Sequence, residues 1–310
     1  LFIMVIIAPV NAIPRCISLS YSTMKLYCHG LDIFWFSVIS CLIIFMATVR
    51  KSRIVDLLGE ILSPLLVASL GVIIIKGLLH HPAAPVVALG GGECFLFGLH
   101  EGYKTMDLFG TFFFSGITIA SLRHNFPHER DMKVLAAFAV QASLIGAGLL
   151  GLVYVGFSTV AAYYGGVLTA LRPEILLGMI AHLILGSAGG FFVSMAVALA
   201  CLTTAVTLAA VFAEYLQRQA GFYHLGYTYC LVLTLIASCA FANLGFEEIV
   251  GMVAPVLVVG YPVLLVLVVV NMLHKMYGFQ PVKTPVLVAS IISIMYYYGD
   301  VVGRCLGLTF

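Results

Sequence analysis

Apolar residues in this chain do not alternate with polar ones; they run in blocks long enough to cross a bilayer. A helix needs about 20 apolar residues to span the hydrocarbon core. Nine blocks are candidates: Leu1–Leu26 (broken by Pro9 and Pro14), Ile33–Val49, Leu57–Ile75, Phe95–Leu122, Val134–Phe157, Phe191–Ala213, Phe222–Phe241, Ile249–Leu273 and Pro285–Leu308. A tenth piece, Ile175–Leu185, is too short to span and is expected at the interface. A membrane barrel would show alternating segments of about ten residues, whereas these blocks are apolar on every side. Backbone groups in lipid must be satisfied within their own segment, so the blocks are predicted helices and the chain an all-α, polytopic bundle.

The polar residues between blocks set an orientation, because cytoplasmic loops carry an excess of Lys and Arg. One set of alternate loops holds Arg50, Lys51, Arg53, Arg123, Arg130, Lys133, Arg218, Lys275 and Lys283; the other holds Lys25, Lys76, Arg172 and Arg304. The first set is predicted to be cytoplasmic, so the first helix runs from inside to outside. The chain begins at Leu1 with no Met and no basic stretch. LFIMVIIAPV therefore reads as the second part of a helix rather than as a signal peptide, and the sequence as a fragment.

Composition agrees with the pattern. Of 310 residues, 62% are hydrophobic and 9% charged, and the mean hydropathy is +1.13. A soluble domain averages roughly 45–50% apolar and about 25% charged residues, so the outer surface must face lipid. A net charge of +2 with no basic run gives no reason to expect nucleic acid. The eight cysteines show no CxxC spacing and mostly lie in apolar runs, where Cys behaves as a small hydrophobe. No metal site, cofactor or catalytic constellation is expected.

One block carries polar chemistry at membrane depth. Phe95–Leu122 contains HEGYKTMD, with His100, Glu101, Lys104 and Asp107. A charge at the centre of a bilayer costs about 2.5–3.5 kcal/mol on insertion scales and is tolerated facing a bundle interior or aqueous cavity. Gly98 and Gly102 weaken the helix locally. One reading is a discontinuous helix whose half-helix ends bind a zwitterion or cation near the midplane. The other is an outer loop, with the helix starting only at Asp107 as its N-cap. A second stretch, Ala200-Cys201-Leu202-Thr203-Thr204, offers two hydroxyls one turn after the Ala200 carbonyl. Thr in a membrane helix commonly bonds back to such a carbonyl; the alternative is a hard-cation site of three oxygens. Arg15 either snorkels or pairs with a carboxylate such as Glu101. Gly90-Gly91-Gly92 lacks the context of a phosphate loop and reads as a flexible outer loop, and His124, His128 and Glu129 read as a cytoplasmic connector.

At EGYKTMD the chain resembles the branched-chain amino acid carriers, the leucine/isoleucine/valine:cation symporters of bacteria. Pro14-Arg15 resembles the third-helix motif of that family, with Cys16 in place of the usual Thr. Ala200–Leu216 resembles its eighth helix, and Asn243-Leu244-Gly245, Pro255-Val256-Leu257 and Tyr261-Pro262 its ninth-to-tenth-helix region. The resemblance implies a leucine-transporter-type inverted-repeat fold, with residues 1–310 one transmembrane domain corresponding to family helices three to eleven. It implies Gly102, Tyr103, Lys104, Thr105, Met106 and Asp107 as the unwound substrate segment, and the Ala200 carbonyl, Thr203 and Thr204 as a share of a sodium site. The expected activity is import of leucine, isoleucine or valine across the cytoplasmic membrane by sodium symport. A proton-coupled carrier, titrating at Glu101, Asp107 or Glu214, is the first rival; a channel or non-transporting scaffold is the second.

Overall fold

In the computed structural model, the structure describes residues 6–28, 30–49, 53–80, 90–103, 105, 107–112, 115, 132–168, 172–219, 226–278 and 283–305. Among these, only helices and turns occur. The helices are α1 (Ile13–Lys25), α2 (Ile33–Val49), α3 (Arg53–Leu79), α4 (Gly91–Tyr103), α5 (Met132–Leu168), α6 (Pro173–Gln219), α7 (Tyr227–Ala242), α8 (Phe246–Tyr277) and α9 (Lys283–Cys305). A π-helical stretch, Ile6–Ala12, precedes α1, and a further helical segment covers 107–112. Three spans, Ala136–Gly165, Pro173–Gln217 and Phe246–Tyr277, are long and apolar enough to cross a membrane. α2, α7 and Pro64–Leu79 are shorter apolar helices. Large apolar side chains point outward along them, Leu144 with 74% of its surface exposed, as lipid contact requires.

The chain divides into two compact units, Leu1–Val87 with Ala147–Val250, and Ala88–Gly146 with Gly251–Phe310. In the first, Ile13 and Ile17 of α1, Ile44 of α2, Ala205, Ala209 and Phe212 of α6, and Leu231 of α7 form one buried cluster. Ile73 of α3, Val160 and Tyr164 of α5, and Ile180, Val193 and Val197 of α6 form another. Apolar burial gives helices little reason to associate in lipid, so close packing of small residues must do it. A Cβ at Gly156 would stand 2.7 Å from the Ile74 side chain, and one at Gly77 2.9 Å from Ile184 and Val160. These two glycines let α3 approach α5 and α6.

Prolines explain the irregular start of α1. Pro9 sits inside the π-helical stretch. In π register its carbonyl looks to the amide of residue 14, and Pro14 has none. The buried hydroxyl of Ser238 on α7 donates to that carbonyl instead, at 3.2 Å. A bond between residues so far apart in sequence thus repairs a local backbone fault.

α6 is two helices joined at Gly186, whose φ of 74° and ψ of −176° are open only to glycine. The arm before it matches the short piece predicted at Ile175–Leu185. Beyond the hinge, Gly190 closes on the first arm: a Cβ there would lie 3.0 Å from the His182 Cα and would collide with the Tyr27 hydroxyl. The Tyr27 ring packs on His182 and Phe191, with centroids 6.2 and 5.6 Å away. Burial pushes its phenol up.

In the second unit, Phe109 is the anchor. Its ring is buried, packs edge-on to Tyr261 of α8 at 5.0 Å, and lies over Gly260. A Cβ at Gly260 would come within 2.6 Å of the ring. The expected loop at Gly90-Gly91-Gly92 is corrected here: Gly91 and Gly92 begin α4, and Cys94 already donates its amide to the Gly90 carbonyl at 3.0 Å. Glu93 in the first turn suits the positive end of the helix dipole, which offsets the weak propensity of glycine.

Candidate functional site

The sequence pointed to two polar clusters, and the structure places one in each compact unit. In the second unit, α4 ends at Tyr103, the chain turns at Thr105, and helix resumes at Asp107. Helix therefore stands on both sides of GYKTMD. That is the arrangement of a discontinuous helix rather than of a single helix beginning at Asp107. Lys104 and Met106 lie outside the described residues, and Tyr103 is described by its backbone alone.

Gly102, Thr105 and Asp107 are brought together. The Gly102 carbonyl accepts from the Thr105 amide at 3.3 Å and from its hydroxyl at 2.8 Å. The same hydroxyl lies 2.9 Å from Oδ2 of Asp107. With one proton it serves one of these acceptors at a time. The Asp107 carboxylate stands at the N-terminal end of 107–112, where the dipole favours negative charge. The main-chain carbonyl of Asp107 accepts from the Thr111 hydroxyl at 2.8 Å. One turn earlier, His100 and Glu101 approach to 3.8 Å, both about half exposed. A break of this kind leaves carbonyls at the end of α4 and amides at the start of 107–112 without helical partners. Ends of that type attract, respectively, a cation or ammonium group and a carboxylate.

In the first unit, α6 passes Ala200, Thr203 and Thr204 without a break. Both threonine hydroxyls donate to the Ala200 carbonyl, each at 2.9 Å. Thr207 repeats the pattern on the Thr203 carbonyl at 3.1 Å. The back-bonded reading of these residues is thus the arrangement observed, and it gathers the three oxygens around one point. On the facing α1, Ser20 donates to the Cys16 carbonyl at 2.8 Å and reaches the Ala198 carbonyl at 3.4 Å. This polar seam was not anticipated, because serine in an apolar run gives no sign of which neighbour it meets. Arg15, also on α1, holds its guanidinium 5.0 Å from the centroid of the Phe246 ring. Glu214, near the end of α6, is exposed.

Sequence reasoning also passed over Glu174. It lies in the first turn of α6 with Pro173 before it, the usual sign of a helix start. Its side chain is only 6% exposed, and nothing in the sequence announces that.

Residues 1–303 match the family described as branched-chain amino acid transport protein. A Staphylococcus saprophyticus protein, provisionally named a branched-chain amino acid carrier, is 29% identical over 311 residues, covering 93% of this chain and 68% of the relative. A Staphylococcus haemolyticus protein with the same provisional name is 31% identical, with the same coverage. The branched-chain amino acid permease BraB of Bacillus subtilis is 27% identical, covering 87% of this chain and 62% of its own. No solved structure matches the chain.

Proposed function

Because the chain belongs to the branched-chain amino acid transport protein family and is a multi-pass helical membrane protein, we propose that it is the membrane body of a sodium symporter for leucine, isoleucine or valine, working by alternating access in the cytoplasmic membrane. The observation that carries this reading is the helix break at Gly102–Asp107 within an otherwise apolar block. The ammonium and carboxylate of the substrate meet the half-helix ends, and the aliphatic tail lies against apolar side chains. Gly102, Tyr103, Lys104, Thr105, Met106 and Asp107 form this segment, while the Ala200 carbonyl with Thr203 and Thr204 supplies oxygens to Na⁺. An ion takes up those oxygens by turning the two hydroxyl protons away, which leaves the helix intact. Coupling requires only that ion and substrate favour the same conformation.

Leucine uptake by the full-length protein in proteoliposomes is the test. An inward Na⁺ gradient is expected to drive saturable accumulation that isoleucine and valine compete away. Uptake indifferent to Na⁺ but driven by a pH gradient would transfer the coupling to a carboxylate such as Asp107. Flux without accumulation under either gradient would end the carrier reading in favour of a channel.

A further inference from the structure

A cavity of roughly 410 Å³ opens in the first unit where the end of α1 and the starts of α2, α6 and α8 meet. Small-molecule sites run from about 300 to 1,000 Å³. Five of its lining residues are charged: Lys25, Arg172, Glu174, Glu247 and Glu248. No ion pair joins these five among the described residues. Lys25 instead holds its ammonium 5.2 Å from the Tyr21 ring centroid, and Tyr21 is itself part of the wall.

Glu174 stands apart from the other four. They are exposed, while it is 94% enclosed, since 6% of its surface remains accessible. Its Oε2 is buried with no hydrogen-bond partner among the described residues. A buried carboxylate oxygen calls for a hydrogen-bond donor, and the cavity is where one can reach it. What suits it is a group that donates hydrogen bonds and carries positive charge. The remaining wall narrows the choice. Arg172, two residues away, and Lys25 supply positive charge at the mouth, which a bare cation would not call for. Leu26, Ile33 and Phe246 supply apolar surface. A ligand with an ammonium, a carboxylate and an aliphatic body answers all three features.

We propose that this cavity, whose lining holds no residue of the helix break, is a second binding site for a free aliphatic amino acid, with Glu174 taking the ammonium and Arg172 and Lys25 the carboxylate. On the orientation given by the loop charges it opens outward and receives substrate before transport. That role rests on the carrier reading; the binding itself does not.

The test is equilibrium binding of radiolabelled leucine to the full-length protein in detergent. Asp107→Ala, which disables the helix break, is expected to retain a saturable leucine site. Glu174→Gln on that background is expected to weaken it about tenfold or more, as loss of a hydrogen bond between charged groups does, and Glu174→Asp to restore part of it. In the wild-type cavity, leucinol lacks the carboxylate and isocaproate lacks the ammonium, so each should compete at least about tenfold more weakly than leucine. Should Glu174→Gln fail to fold, Arg172→Gln at the exposed mouth is expected to weaken the same site. Binding indifferent to both substitutions, or leucinol competing as well as leucine, overturns the proposal. If the wild type binds leucine in a Glu174-dependent way but transports none, the carrier reading fails and this one stands. If it transports leucine and Glu174 is irrelevant to binding, the reverse holds.

Discussion

The two polar clusters solve the same problem in opposite ways. At Thr203 and Thr204 the backbone stays helical and the hydroxyls fold back onto the Ala200 carbonyl, so the polar atoms are satisfied inside one element. At Thr105 the backbone gives way, and a hydroxyl replaces the lost helical bonds by reaching Gly102 and Asp107. The first arrangement is cheap to keep and suits a small ion that needs only oxygens. The second exposes whole peptide groups and suits a ligand with donors and acceptors of its own. The difference also shows in what supports each. α6 is gripped by buried residues of α1 and α7, whereas 107–112 is held by Phe109 on Gly260 and Tyr261.

If that contrast is right, damage at the break should cost the most. Asp107→Ala removes a carboxylate that both joins Thr105 and sits at a helix start, and leucine uptake is expected to fall about 100-fold, near 2.7 kcal/mol. Membrane expression should stay near wild type; equal loss of both would reduce Asp107 to a structural residue. Gly260→Val comes next. Its side chain enters the space of the Phe109 ring, and overpacking costs about 1–3 kcal/mol. Uptake should fall roughly tenfold or more, with a lowered unfolding temperature in detergent, while Phe109→Ala in the same chain relieves the clash and recovers part of the loss. The smallest effect belongs to the intact helix. Thr203→Val with Thr204→Val should raise the Na⁺ concentration for half-maximal uptake about tenfold, or ~1.4 kcal/mol, with insertion unchanged. An unchanged Na⁺ dependence would leave those hydroxyls as back-bonded groups only.

How much of this was legible depended on whether the signal was local. The block Ile33–Val49 coincides with α2 to the residue, because polar stretches bound it on both sides. Pro9 and Pro14 announced the irregular first helix, since a proline removes its own amide wherever it stands. α5 runs on to Leu168, beyond the predicted Phe157, because Val160 and Tyr164 continue its buried face past the end of the apolar block. What could not be read were partners far along the chain. Ser238 shows no sign of its bond to the Pro9 carbonyl, nor Gly260 of the ring above it, since hydropathy describes a residue's surroundings and not its neighbour. Glu174 failed for the same reason: acid after proline marks a helix start, while its burial follows from four chain segments converging.

Gly186 has a further bearing on topology. An unbroken α6 of 47 residues would reach ~70 Å at about 1.5 Å per residue, more than twice the thickness of the hydrocarbon core. Folded at Gly186, its leading arm is only about 20 Å long, too short to cross that core alone. One backbone angle thus divides a helix too long for any bilayer into a short arm and a single remaining span.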